Sequence, residues 1–324
     1  MTMLRQLFVL FALSAAGVLA PSAFAQEYPA KSVRVIVPFA PGGTSDFVAR
    51  IVSQALTKEL RQQFVIDNRG GAGGTIGADL AAKAPPDGYT LLLFNIAMAF
   101  GPALYSALPY DPVNDFAPIS SLGSAPSVLL VNPSLPVRSL KEFLALARAR
   151  PGELNYGTGG VGSSGHLAVE LLQSVAGVKF THVPYKGGGP AFAATISGEV
   201  AFLIETAGPV VPQIKSGRLR ALGVTSAQRL PMLGDVPTLA EAGLKDYAYT
   251  TWYALWAPAK TPSAVVNRLN QAVQRVSSQA EVRTSMQSSG VEPDPSTPAQ
   301  LDARVRAELA KWNKIIRDAG IKAQ

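Results

Sequence analysis

From Val33 onward, short apolar runs alternate with segments in which apolar residues recur at helical spacing. The run Val33–Val37 is typical of a buried strand, and the apolar positions between Asp46 and Leu60 recur every three or four residues, which predicts an amphipathic helix. The same two patterns predict further strands at 64–66, 90–94, 154–156, 179–183, 200–204 and 219–224. They predict further helices at 74–84, 139–150, 167–175, 190–197, 208–215, 262–278 and 297–318.

Strands that alternate with helices favour an α/β fold with mostly parallel sheets. Two units of strand, glycine-rich loop and helix occur in the chain, and this repetition predicts two similar lobes. Segments rich in proline, tyrosine and small residues, at 124–126 and 247–253, are the candidate crossovers between them. The predicted organisation is a discontinuous first lobe, 26–126 plus 249–324, and a second lobe, 127–248.

The first 25 residues have the features of a cleaved signal peptide rather than of the fold. Arg5 precedes an apolar stretch at 7–19, and Ala23-Phe24-Ala25 provides the small residues that signal peptidase accepts before Gln26. An N-terminal membrane anchor is the alternative interpretation, although the stretch is short for a membrane helix. We therefore expect export to the periplasm.

The composition narrows the chemistry that the protein can perform. The chain has no cysteine, which excludes disulfides, thiolate metal sites and cysteine nucleophiles. Its net charge of +7 falls to +6 without residues 1–25, which carry Arg5 and no acid. The basic residues are scattered without interleaved aromatics, which disfavours nucleic acid as a partner. A mildly positive field attracts anionic solutes instead.

The loop from Pro38 to Asp46 lies between a predicted strand and a predicted helix. A helix start leaves backbone N–H groups without partners and has a favourable dipole for an anion. Glycines allow close approach of a ligand to the backbone, and hydroxyls at Thr44 and Ser45 add hydrogen-bond donors. Asp46 is expected to cap the helix or neutralise its dipole rather than contact a ligand.

The run from Gly157 to Ser164 is a second loop of this kind. It formally satisfies G-x-G-x-x-G, the dinucleotide fingerprint, between a strand and a helix. The following predicted strand, 179–183, ends without the Asp or Glu that holds a ribose, so a carboxylate-binding turn is the preferred interpretation. A third strand-to-helix loop, 184–190, contains Gly187.

Few residues are placed for catalysis or for metal binding. His166 and His182 are the only histidines, no G-x-S-x-G motif occurs, and no acidic or histidine cluster has metal-ligand spacing. His166 is expected to be packed and hydrogen-bonded rather than a catalytic base. Glu205 ends an otherwise apolar strand, where a side chain faces either the ligand crevice of an α/β sheet or water. No enzyme activity, cofactor or metal is expected.

A set of motifs spread along the chain resembles one known family. The motifs are Val37-Pro-Phe-Ala-Pro-Gly-Gly-Thr-Ser-Asp46, Asn68-Arg69 with Gly71–Gly74, Pro86-Asp-Gly-Tyr-Thr-Leu91, Tyr110-Asp-Pro112 with Asp115–Pro118, Gly162–Leu167, Val183–Gly188 and Asp235–Gly243. Together they resemble the Bug receptors, the extracytoplasmic solute-binding proteins of tripartite tricarboxylate transporters. The resemblance covers nearly the whole chain after residue 25.

The resemblance implies a two-lobed periplasmic binding protein of type II, with two crossovers and a ligand cleft between the lobes. It implies capture of a small organic carboxylate and delivery to a pair of membrane subunits, although many such receptors are orphans. We expect a monomer. The expected ligand-binding residues, from the loops above and the strand end, are Phe39, Ala40, Gly42, Gly43, Thr44, Ser45, Thr158, Gly160, Ser163, Ser164, Gly187 and Glu205.

Two alternatives remain open from the sequence. The ligand-capturing subunit of a membrane sensor uses the same lobes as a transport receptor. An exported α/β enzyme that uses the loop at Gly157 is the less favoured alternative. Glutamate at position 205 also makes a tricarboxylate a less secure assignment, because an inward-facing acid repels a further ligand carboxylate or holds an amine or hydroxyl.

Overall fold

The computed structural model describes residues 28–105 and 107–318, and residues 1–25, the predicted signal peptide, lie outside these ranges. From Lys31 onward the described residues form one compact unit. The strands are β1 (Val33–Val37), β2 (Phe64–Asn68), β3 (Thr90–Asn95), β4 (Phe116–Val131), β5 (Asn155–Thr158), β6 (Thr181–Pro184), β7 (Phe202–Thr206), β8 (Arg220–Val224), β9 (Thr250–Pro258) and β10 (Glu292–Pro293).

The helices follow most of these strands and cover the sheet. They are α1 (Thr44–Leu60), α2 (Thr75–Ala82), α3 (Gly101–Leu104), α4 (Leu140–Ala149), α5 (Ser164–Ala176), α6 (Gly188–Ser197), α7 (Ala207–Lys215), α8 (Ser263–Ser278), α9 (Ala280–Ser288) and α10 (Pro298–Asp318). Short 3-10 helices occupy Ala72–Gly74, Ile96–Ala99 and Pro231–Leu233. The start of α4 agrees with the sequence prediction. The Ser139 hydroxyl caps this helix by accepting a hydrogen bond from the Glu142 N–H at 3.2 Å.

The strands pair in the order β2-β1-β3-β9-β4-β7-β5-β6, with β8 and β10 also paired to β4. The prediction of an α/β fold is confirmed, but the prediction of mostly parallel sheets is wrong. β1 pairs in parallel with β2 and β3, and β5 does so with β6 and β7. Every pairing made by β4 or β9 is antiparallel. The sheet is therefore mixed.

The 16-residue strand β4 joins two parts of the sheet. Residues 116–126 pair with β9, and residues 127–131 pair with β7, while residues 128–131 also pair with β8. We call β1, β2, β3, β9, β10 and residues 116–126 the first half-sheet, and β5 to β8 with residues 127–131 the second half-sheet. The predicted crossover at 124–126 thus lies within a continuous strand. The predicted lobe boundaries stay a prediction.

Thr225 forms hydrogen bonds to both chain segments that connect the half-sheets. Its fully buried hydroxyl accepts a hydrogen bond from the Ser127 N–H at 2.9 Å and donates to the Tyr249 carbonyl at 2.7 Å. Its own N–H donates to the Ser127 carbonyl, and its carbonyl accepts from the Tyr249 N–H. One side chain therefore satisfies buried backbone groups of both chain segments that pass between the half-sheets.

We expect Thr225→Val to lower the free energy of unfolding by about 2–3 kcal/mol, because it leaves a buried N–H and a buried carbonyl without partners. Urea unfolding followed by circular dichroism measures this change. Thr250→Val is the matched control, since Thr250 is exposed at the start of β9. Equal small losses for both variants would contradict the assigned role of Thr225.

The described residues contain no helix that is both long enough and apolar enough to cross a membrane. One apolar core cluster is continuous through both half-sheets, and a second cluster packs against β7 and β8. The first contains large, fully buried side chains from strands of each half-sheet, among them Trp252, Trp256 and Tyr156. This continuous core fixes the carboxyl ends of β1, β3, β5 and β7 close to one another.

Candidate ligand-binding site

A cavity lies where the carboxyl ends of β1, β3, β5 and β7 meet. This is the place where open α/β sheets bind ligands. Both half-sheets contribute to its wall. Its lining residues are Phe39, Gly43, Thr44, Ser45, Asn95, Gly157, Thr158, Gly159, Ser163, Ser164, Gly165, Gly188, Ala191, Leu203, Ile204, Glu205 and Tyr253.

The first wall of the cavity is the start of α1. Gly43 precedes the helix without a side-chain cap, so the N–H groups of Thr44 and Ser45 have no partner within the helix. Asn95, at the end of β3, donates its amide N–H to the Ser45 hydroxyl oxygen at 3.4 Å. The Ser45 hydroxyl therefore keeps its proton for another acceptor. This end of the helix offers donors and a positive dipole end.

The second wall is the start of α5. The Ser163 hydroxyl caps the helix by accepting from the His166 N–H at 3.4 Å, which leaves the N–H groups of Ser164 and Gly165 without intrahelical partners. The Thr158 hydroxyl oxygen accepts from the Gly160 N–H at 3.1 Å and contacts Nε2 of His182 at 2.5 Å. Thr158 thus shapes the loop, and the helix start provides the donors.

A chain of hydroxyl groups connects the first wall to the end of β7. The hydroxyl of Thr206, the last residue of β7, donates to Oε1 of Glu205 at 2.8 Å, and the Thr206 N–H donates to the same oxygen at 2.8 Å. The Thr44 hydroxyl is in contact with the Thr206 hydroxyl. Because the Thr206 proton is used for Glu205, Thr44 must donate to Thr206. The Thr44 hydroxyl is therefore committed within the protein.

Glu205 is the one charged side chain among the described residues that line the cavity. Burial raises the pKa of its carboxyl group, and the hydrogen bonds from the N–H and the hydroxyl of Thr206 lower it to a smaller extent. Its Oε1 is engaged with Thr206, whereas Oε2 has no hydrogen bond to another described residue. The cavity therefore offers an anion no basic side chain and must hold it by N–H and hydroxyl groups.

Asp46 lies in the first turn of α1, where an acid neutralises the helix dipole, but it does not cap the helix. Its carboxylate accepts from the Gly42 N–H at 3.2 Å, from Nε of Arg50 at 3.0 Å and from the Asn68 amide at 3.1 Å. These bonds turn the carboxylate away from the cavity and fix the loop that precedes α1. Asp46 is buried and does not line the cavity.

Loops of the two half-sheets touch beside the cavity, along a line of backbone contacts that we call the seam. The Ala40 N–H donates to the Lys186 carbonyl at 3.0 Å. A Cβ added at Gly73 would lie 1.9 Å from the Val161 carbonyl oxygen. The Tyr105 hydroxyl spans the seam by contacting that oxygen at 2.8 Å and the Ala72 carbonyl at 3.3 Å. Glycines allow this close approach of two backbones.

Most of the residues predicted to bind ligand line the cavity, and the others lie at the seam. The lining group comprises Phe39, Gly43, Thr44, Ser45, Thr158, Ser163, Ser164 and Glu205. The seam group comprises Ala40, Gly42, Gly160 and Gly187. The sequence prediction missed two lining residues, Asn95 and Tyr253. Asn95 follows the end of a predicted strand, and Tyr253 lies within a strand that was not predicted. Contact of any of these residues with a ligand stays a prediction.

Both histidines are packed behind the second wall. The rings of His166 and His182 stack with centroids 4.3 Å apart, and Tyr156 stacks on His182 at 4.9 Å. Nδ1 of His166 accepts from the Gly162 N–H at 3.2 Å. Burial, reinforced for His166 by the neighbouring His182, lowers the pKa values to about 3 for His166 and about 4 for His182. His166 is therefore a buried, neutral packing residue, as its sequence context predicts.

The stability of the fold is expected to fall as the pH drops from about 6.5 towards 4. In this window the unfolded imidazoles bind protons and the buried ones do not, which costs at most about 1 kcal/mol per pH unit for His166 and less for the partly exposed His182. Burial raises the pKa of Glu170, so its contribution has the opposite sign and is lost as the pH rises through the folded pKa.

Urea unfolding at pH 7 and at pH 5 tests this prediction. His166→Asn is the informative variant, because the asparagine oxygen can still accept from the Gly162 N–H and cannot titrate. We expect a smaller stability difference between the two pH values in the variant than in the parent. An equal difference in both proteins would show that His166 is not responsible.

Comparisons with known proteins show the family to which the chain belongs. The chain matches TctC, described as "Tripartite tricarboxylate transporter family receptor", over residues 48–321. It is 38% identical to protein BugT of Bordetella pertussis over 99% of both chains. The structure of periplasmic binding protein BugD has a TM-score of 0.89 at 32% identity, and covers 92% of this chain and 100% of its own. A structure of R. palustris Rpa4515 with adipate has a TM-score of 0.88 at 37% identity, with the same coverage.

The α/β fold and a cavity at its strand ends define a periplasmic-type solute receptor. The chain belongs to the tripartite tricarboxylate transporter family of receptors. Its relatives of known structure are solute-binding receptors rather than enzymes. The described residues contain no group of acidic or histidine side chains that could hold a metal ion. Because these relatives are receptors rather than enzymes, solute binding is preferred over dinucleotide binding for the loop at Gly157.

Proposed function

We propose that this protein captures a small organic carboxylate in the cavity and delivers it to the membrane subunits of a tripartite transporter. The observation that carries the proposal is that α1 and α5, from different half-sheets, both start at the wall of one cavity. Unpaired N–H groups and two helix dipoles then act on the same anion. A related receptor structure that contains adipate supports this choice of ligand class.

Capture proceeds by closure of two lobes, 26–126 plus 249–324 and 127–248, about the connecting strands. In the closed form the seam excludes water from the ligand, and each lobe contributes one helix start. A ligand that touches both walls stabilises the closed form, because it gains its second set of hydrogen bonds only there. The transporter subunits can then distinguish loaded from empty receptor by its shape.

Export by cleavage of residues 1–25 and action as a monomer complete the proposal. The similarity to BugD, a periplasmic binding protein of known structure, supports a periplasmic location. A receptor without a cognate transporter remains compatible with the same binding chemistry. Mass spectrometry of the protein released from the periplasm tests the cleavage site, which is expected before Gln26.

Thermal unfolding with a panel of carboxylates tests the proposed binding. The protein is first unfolded and refolded to remove bound solute, and then mixed with succinate, malate, adipate, 4-hydroxybutanoate or benzoate. A ligand at 100 times its Kd stabilises the folded state by about 2.7 kcal/mol, which is a readily measured shift. The neutral diamide of succinate is the control. No shift with any carboxylate, or equal shifts with the diamide, would refute the proposal.

A further inference from the structure

The acidic side chain of Glu205 distinguishes this cavity from a site that only binds anions. Among the described lining residues it is the sole charged side chain, and no lysine, arginine or histidine lies beside it in the wall. Hydrogen bonds from the Thr206 N–H and hydroxyl saturate its Oε1 and fix its rotamer. Its Oε2 lies against the Cα of Gly188, where a Cβ would be only 2.6 Å from that oxygen.

The fixed geometry leaves Oε2 as an acceptor that the described protein does not satisfy. Glu205 is partly exposed at the cavity wall, and an ionised carboxylate oxygen there favours a hydrogen-bond donor. The Thr206 donors are already used on Oε1, and no hydrogen bond from another described residue reaches Oε2. Because Glu205 lines the cavity, a hydrogen-bond donor on a bound ligand can reach this oxygen.

A second carboxylate on the ligand is disfavoured at this position. Two like charges in contact in a cavity without a basic side chain repel each other. The repulsion acts when Glu205 is ionised; the two Thr206 donors favour that form, while burial, the larger effect, raises the pKa of the carboxyl group. The preferred ligand group beside Glu205 is therefore a donor and not an anion.

We propose that the ligand is a carboxylate that also presents a hydroxyl or amino group to Oε2 of Glu205. This inference rests on the proposed carboxylate capture and narrows it. Glu205 is then the residue that determines specificity between hydroxy or amino carboxylates and dicarboxylates. The helix starts hold the carboxylate of the ligand, and Glu205 recognises its hydroxyl or amino group.

Four ligands with the same four-carbon chain test the inference by calorimetric titration of the refolded protein. They are butanoate, 4-hydroxybutanoate, 4-aminobutanoate and succinate. We expect 4-hydroxybutanoate, 4-aminobutanoate or both to bind at least about tenfold more tightly than succinate and butanoate. Tightest binding of succinate would overturn the inference and leave the proposed function intact. Binding of none of the four, together with a panel that gives no thermal shift, would instead refute the proposed function.

Two variants assign the preference to Glu205. Glu205→Gln replaces one oxygen by an N–H donor, so we expect succinate to gain and the donor-bearing ligand to lose, each by about tenfold. Gly188→Ala displaces Oε2 without a change of charge, and should weaken the donor-bearing ligand selectively. Glu153→Gln removes an exposed acid and is the control. Unchanged ligand ratios in Glu205→Gln, or weaker succinate binding, would overturn the assigned role.

Discussion

Replacement of Gly73 by alanine is expected to weaken carboxylate binding by about 100-fold, which corresponds to about 2.8 kcal/mol. A Cβ at this position would lie 1.9 Å from the Val161 carbonyl oxygen across the seam, so the closed arrangement cannot form without a backbone shift. Gly73 also has a φ of 62°, which alanine adopts at a cost of about 1 kcal/mol. The first effect acts on closure and the second on folding.

Gly177→Ala separates these two effects. Gly177 ends α5 with the same φ of 62°, and no heavy atom lies within 4 Å of a Cβ added there. Both variants should lose similar stability in urea, while only Gly73→Ala should lose affinity in calorimetric titration. If Gly73→Ala binds ligand as tightly as Gly177→Ala does, the seam does not close on the ligand.

Introduction of a negative charge at the first wall is expected to have a comparably large effect. Ser45→Asp places a carboxylate at the second position of α1, beside the N–H groups proposed to hold the ligand. We expect ligand affinity to fall by about 100-fold or more, because like charges then compete for one helix start. Stability should change little, since an acid in the first helical turn interacts favourably with the dipole.

Ser45→Asn is the matched control for Ser45→Asp. Asparagine has nearly the same shape as aspartate and carries no charge, so it should retain binding to within about tenfold. Calorimetric titration of a binding carboxylate measures both variants. Equal losses in the two variants would indicate that the size of the side chain, rather than its charge, controls binding at this wall.

Much of the fold follows directly from local sequence patterns. β1 occupies 33–37 as predicted, and the amphipathic helices near the C-terminus start and end within one residue of the predicted bounds. The helix α9, at 280–288, and the strands β4 and β9 were missed. β4 contains two prolines and several serines, which disfavour a strand locally, and it is held by long-range pairing with β9.

Part of the candidate ligand-binding site could also be predicted from local sequence patterns. Gly43, Thr44, Ser45, Ser163 and Ser164 were found because each lies at a junction of strand and helix, and such junctions are visible in one sequence. Tyr253 lies in the missed strand β9, and Asn95 needed knowledge that β3 ends beside α1. Tertiary proximity across the seam, as between Gly73 and Val161, leaves no local signal.

The most direct test of the account is an amide chemical-shift titration of the refolded, isotope-labelled protein with a binding carboxylate. The central claim is that the starts of α1 and α5 hold one anion together. It predicts that the amide signals of Ser45 and Gly165 both shift, and that the two shifts saturate with a single Kd equal to the calorimetric value. Shifts at only one helix start, or two different Kd values, would contradict the claim.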